Sequence, residues 1–194
     1  MVVRVDNIHY LRGICSLLVV FTHFHFLIFN YVNGSFGVDF FFIISGFVMQ
    51  GTLSRYSEST SCLRISLHFI LRRLLRIYPV FLLLLIPLLI YQNTGFYESL
   101  VSVLFLNNYL NIEFPIFSSW SLVYEFNFYF FIFLMILLKK VKFIKFFLLF
   151  SGLIGLFFDF NNILIDYLLS PFNIYFAVGM YLYSNSIHLN KYFI

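Results

Sequence analysis

The chain has 194 residues, 62% of them hydrophobic and 10% charged, and a mean hydropathy of +0.95. A soluble domain carries about 25% charged residues, so burial in a bilayer is the economical reading of this composition. The formal charge of +4 would suit a nucleic-acid binder, but the placement of the basic residues along the chain accounts for it, and no nucleic-acid partner is expected.

A helix needs about 20 mostly apolar residues to cross the hydrocarbon, because its backbone donors and acceptors must be satisfied within the segment. Taken in chain order, the candidates are Ile14 to Phe29, extended back through Leu11, then Phe36 to Met49, Leu74 to Tyr91, Leu122 to Leu138, Phe143 to Phe158 and Leu164 to Tyr183. The stretch Ser99 to Leu110 is apolar but broken by Asn107 and Asn108, which suits a short interfacial or re-entrant helix. The expected fold is therefore an all-α, polytopic transmembrane bundle of about six spans, a single domain over residues 1–194 with a cytoplasmic loop at 53–71.

Orientation follows from the rule that short cytoplasmic loops hold an excess of Lys and Arg. With the N-terminus inside, all 12 basic residues fall on the cytoplasmic side: Arg4 and Arg12, then Arg55, Arg64, Arg72, Arg73 and Arg76, then Lys139, Lys140, Lys142 and Lys145, and finally Lys191. The opposite loops, around 30–35, 92–119 and 159–162, have no Lys or Arg. One crossing more or fewer would separate the arginine group from the lysine group, so the count should be even. The first span is too long and lacks the small-residue cleavage site of a signal peptide. Cys15 lies mid-span and Cys62 in a cytoplasmic loop, so no disulfide is expected.

Ionisable groups inside spans cost several kcal/mol unless they are paired or face a cavity, and they fall in four clusters. Arg12 and His23 are eleven residues apart, which puts them on one face of a helix, roughly 16 Å apart along its axis. They either line a path through the bundle or serve as a snorkelling anchor and an ordinary interhelical donor. Asp39 follows Gly34-Ser-Phe-Gly-Val and precedes the small pair Ser45-Gly46. In the first turn of an outward-starting helix it would gain from the helix dipole, or it could orient the His23 imidazole. Arg72, Arg73 and Arg76 stand ahead of Pro79 at the cytoplasmic edge of the third span. At helical spacing two of their guanidinium groups can converge on one anion, or all three can simply anchor the edge; Pro79 is expected to bend or restart the helix. Ser121, Glu125 and Tyr129 recur every four residues after Trp120 and form a polar stripe on the fourth span, although Trp120 would also suit an aromatic belt.

These clusters match a known pattern. Leu11-Arg-Gly-Ile-Cys-Ser-Leu-Leu-Val-Val-Phe-Thr-His23 resembles the opening helix of the membrane acyltransferase 3 family, which includes O-acetyltransferases of bacterial surface polysaccharides. Gly37-Val-Asp-Phe-Phe-Phe-Ile-Ile-Ser-Gly46 resembles that family's second-helix signature, Arg72 to Pro79 its arginine motif, and Trp120-Ser-Leu-Val-Tyr-Glu125 with Tyr129 its Trp-Ser-Leu-x-x-Glu segment. The four motifs stand in the family's order and cover about Ile8 to Tyr129.

The resemblance implies transfer of an acyl group, usually acetyl from acetyl-CoA, to a hydroxyl of a carbohydrate or cell-envelope acceptor, in a multi-pass inner-membrane protein. By similarity His23 is the catalytic base or transient acyl carrier, and Arg72, Arg73 and Arg76 hold the donor phosphates with Arg12 assisting; on the physical reading Asp39 or Glu125 is available to stabilise the imidazolium. Trp120, Ser121 and Tyr129 belong to the acceptor side or to the framework. Acyl-CoA is a co-substrate, and neither a resident cofactor nor a metal is expected. Complete members of the family are usually longer and have more spans, so the chain reads as the N-terminal part of a longer fold. It is then a truncated and inactive remnant, or a short variant completed by a second chain or an oligomer. The competing class is a proton-coupled transporter in which Arg12, His23, Asp39 and Glu125 form an ion path, although paired broken helices or inverted repeats are not evident.

Overall fold

The computed structural model describes residues 10, 13–15, 17, 35–54, 62–110, 112–113, 115–116 and 119–192. These are all-α, with no strand among them. In chain order the helices are α1 (Ser35–Leu53), α2 (Cys62–Tyr91), α3 (Phe96–Val103), α4 (Asn107–Leu110), α5 (Trp120–Leu137), α6 (Ile144–Phe157), α7 (Ile163–Leu168) and α8 (Phe172–Tyr192). A turn of 3-10 helix, Val141–Phe143, leads into α6.

Among the described residues four stretches are long and apolar enough to cross a membrane: Phe36–Leu53, Cys62–Tyr91, Trp120–Leu137 and Ile163–Asn185. They correspond to the second, third, fourth and sixth expected spans, the sixth being divided at 169–171 into α7 and α8. Most of the first expected span lies outside the described residues. The fifth is α6, whose 14 residues reach only about 21 Å at 1.5 Å per residue. It is short because Lys139 takes a left-handed turn at φ 58° before it, and the chain becomes extended at Phe158 after it.

The outward surface of α2 explains why lipid is its natural surrounding. Beyond Pro79 the exposed side chains of α2 are apolar, Leu83 and Ile90 at 71–75% among them, and such a face is untenable in water. At 30 residues, α2 is about 45 Å long against a hydrocarbon core of about 30 Å, so part of it must extend beyond the core. It begins at Cys62 rather than Leu74, which makes the last part of the 53–71 connection helical. Pro79 neither ends nor restarts it, since Pro79 and Pro87 both lie inside the continuous helix. Such breaks in the hydrogen-bond ladder are tolerated in membrane helices when neighbouring groups satisfy the freed carbonyls.

The chain divides into two compact units. The first comprises Met1–Tyr56, Lys145–Leu153 and Pro171–Ile194, and the second Ser57–Ile144 and Ile154–Ser170. In the first, α1 and α8 run parallel, because Phe42 meets Phe172 and Phe176 while Phe47 meets Tyr183. The early part of α6 runs antiparallel to α8: Lys145 Nζ donates to Ser184 Oγ (3.0 Å), and further along Asn173 Nδ2 donates to the buried Ser151 Oγ (3.1 Å).

Glycine sets the α1–α8 distance. A Cβ on Gly46 would run into the Phe176 carbonyl, and one on Gly179 into that of Ile43. Without side chains at these two points the backbones approach closely, which gains dispersion contact where lipid offers no hydrophobic drive. In the second unit α2 and α5 are antiparallel. Phe81, Leu85 and Val123 form a buried cluster around the Phe105 ring, whose residue turns the chain between α3 and α4 at φ 56°. Gly46→Ala or Gly179→Ala should lower stability by about 1–3 kcal/mol through forced separation of the helices, read as a drop in melting temperature in detergent. Gly95→Ala is the control, since nothing stands within 4 Å of its Cβ position, and its melting curve should match the parent.

Candidate functional site

Glu125 lies in an otherwise apolar turn of α5 and is 5% exposed. A carboxyl group withdrawn from water needs a donor, and the one it has is local: the Tyr129 hydroxyl donates to Glu125 Oε1 one helical turn away. Tyr129 is itself 2% exposed. Its ring meets Phe69 of α2 edge-on, with centroids 6.1 Å apart, and the Arg73 guanidinium lies over both rings, 5.5 Å from the Phe69 centroid and 5.9 Å from that of Tyr129. The arginine motif of α2 and the Glu125 stripe of α5 thus meet through one tyrosine.

This contact changes where the arginines stand. Arg72 does not open its helix but follows almost three turns of it, and Arg73 is level with Tyr129, about midway along α5. The three arginines also differ in environment: Arg72 and Arg76 are exposed, whereas Arg73 is half-buried. Trp120 and Ser121 form the first turn of α5, where both are half-buried and the Trp120 ring meets Tyr124 edge-on at 6.0 Å.

Asp39 belongs to the first unit. Because α1 begins at Ser35, Asp39 falls in its second turn rather than its first, beyond the strongest part of the helix dipole. Its carboxylate is held instead by a hydrogen bond from Tyr175 of α8. His23 and Arg12 lie outside the described residues.

Beyond the expected residues, the second unit contains a chain of polar contacts around Asn127. The Tyr109 hydroxyl donates to Asn127 Oδ1 (2.9 Å), and Asn127 Nδ2 donates to the Tyr167 carbonyl (3.4 Å), which ties α4 and α7 to α5. Burial pushes the Tyr109 phenol above its ordinary range, so it remains a neutral donor. The Tyr167 ring stacks near those of Tyr109 and Tyr124, each at 5.4 Å. Asn127 was visible in the sequence as an amide within an apolar run. Tyr109, Tyr167 and Tyr175 carried no such signal, because their partners are distant in the chain.

An all-α chain with several candidate spans and an internal Glu-Tyr-Arg contact defines a membrane protein with polar groups held inside its helices. It belongs to the acyltransferase 3 family: a family model described as an acyltransferase domain matches residues 5–192. The match extends past the four motifs to nearly the whole chain. No curated protein and no solved structure matches the chain at a significant level.

Asn127→Leu should cost about 1–3 kcal/mol, because it strands the Tyr109 hydroxyl and loses the tie to α7. Tyr109→Phe, which leaves the amide bonded to the Tyr167 carbonyl, should cost only about 1 kcal/mol. Thermal unfolding in detergent would read both, and equal losses would show that the α7 tie contributes nothing.

Proposed function

We propose that the chain is a membrane-embedded acyltransferase that moves an acyl group, acetyl in the first instance, from cytoplasmic acyl-CoA to a hydroxyl of a carbohydrate or cell-envelope acceptor. The observation that carries this reading is the family match over residues 5–192, and the motif residues supply the roles. His23 takes the proton of the acceptor hydroxyl as the oxygen attacks the thioester carbon. The carbon–sulfur bond then breaks, and the departing thiolate receives that proton from the imidazolium. An imidazole suits this role because its ordinary pKa of about 6.5 lets it accept and return a proton near neutrality. A route through an acyl-His23 intermediate uses the same groups in two steps.

Asp39 and Glu125 are the carboxylates available to stabilise the imidazolium. Both are already oriented by a tyrosine, Asp39 by Tyr175 and Glu125 by Tyr129. Arg72 and Arg76, exposed on α2 and four residues apart, are placed to share one anion, which suits the phosphates of CoA. Arg12 assists along the path, and Trp120 and Ser121 stand at the acceptor end of α5. With the N-terminus inside, donor and acceptor reach the protein from opposite faces of the inner membrane.

Membranes or nanodiscs containing the chain should transfer labelled acetyl from acetyl-CoA to an envelope glycan fraction. His23→Ala should lower the rate by about 10²-fold or more, and His25→Ala should leave it nearly unchanged. Equal loss in both variants would remove His23 from its role, and solute or proton flux without transfer would favour a permease.

A further inference from the structure

Of the three motif arginines, two face outward and one is engaged with its own protein. Arg73 spans from Phe69, one turn earlier on α2, to Tyr129 on α5. Tyr129 in turn donates its hydroxyl proton to the Glu125 carboxylate. Arg72 and Arg76 are exposed and, at 100° per residue, lie only about 40° apart around the helix. From this division of surroundings we infer that Arg73 is a positioning residue for Glu125, acting through Tyr129, and that Arg72 and Arg76 alone hold the anionic donor. The inference rests on the acyl-transfer reading above and divides labour within it.

The chemistry favours the division. A guanidinium over the face of a phenol is attracted to the ring's negative quadrupole and polarises the ring, which strengthens its hydroxyl as a donor. Interactions in series reinforce one another where water is excluded. Arg73 thus fixes the ring, the ring fixes the carboxylate, and the link joins α2 to α5. To reach a phosphate instead, Arg73 would have to leave both aromatic faces. Arg72 and Arg76 need make no such move.

The test uses the full chain in nanodiscs, with CoA as the binding probe and acetyl-CoA as the substrate. Arg72→Met and Arg76→Met should each weaken CoA binding about tenfold or more, the value of a charged hydrogen bond. Arg73→Met should leave CoA affinity and the KM for acetyl-CoA within about twofold while lowering kcat by about 10²-fold, as a misplaced catalytic group does. Tyr129→Phe should show the same kcat loss, the double variant should be no worse than either single one, and Arg73→Lys should recover part of the rate.

A thermal-melting cycle needs no activity. Arg73→Met and Tyr129→Phe should be non-additive, whereas Arg72→Met and Tyr129→Phe should add. If Arg73→Met does not fold, Arg73→Gln takes its place in the cycle. Additivity of Arg73 with Tyr129, or a loss of CoA affinity in the Arg73 variant matching that of its neighbours, overturns the inference. If the parent chain neither binds CoA nor transfers acetyl, the acyl-transfer reading fails, and the melting cycle alone decides whether Arg73 holds Tyr129 in place.

Discussion

A carboxyl group inside an apolar helix must find a donor within the protein, and much of the second unit is organised around how Glu125 does so. Its neighbours on α5 are mostly aromatic or aliphatic, and the donor it takes up is the hydroxyl of Tyr129, one turn further on. That choice fixes the Tyr129 ring, and the ring then determines what α2 can place beside it: Phe69 edge-on and the Arg73 guanidinium across both faces. Charge at this depth is costly without such partners. One buried carboxyl group thus helps to decide how two long helices meet.

The same economy recurs elsewhere. Asn127 uses both ends of its amide to join α4 and α7 to α5, and Asp39 is held across the α1–α8 contact by Tyr175. Tyr109 and Tyr175 make their connections with the hydroxyl, which reaches the polar group while the ring contributes apolar contact, whereas Tyr167 accepts through its backbone carbonyl. Lys145 is accommodated similarly, with its ammonium bonded to Ser184 and lying over the Tyr181 ring at 5.2 Å.

Much of this was legible in the sequence because it is local. Apolar length located α1, α5, the later part of α2 and the early part of α8, and the four-residue spacing of Ser121, Glu125 and Tyr129 placed the last two in contact. The broken character of the stretch around Asn107 and Asn108 corresponds to the short α3 and α4. Helix ends were less legible. The charged arginines before Leu74 make it the expected start of the third span, yet the helix runs back to Cys62, with Leu63, Ile65, Phe69 and Ile70 supplying apolar residues ahead of Arg72. The partners of Asp39 and Asn127, and the burial of Arg73 among three similar arginines, depend on tertiary contacts that no periodicity encodes.

The two glycines of the first unit do more than bring α1 and α8 close. Each sits opposite a backbone carbonyl of the other helix, Gly46 against Phe176 and Gly179 against Ile43, so the pair forms two reciprocal notches. Sliding either helix by one residue would bring Ser45 or Phe47, and Val178 or Met180, to a point where no side chain fits. The two helices are consequently keyed to a single longitudinal setting, and Tyr175 stays opposite Asp39 because neither rod can slip past its neighbour.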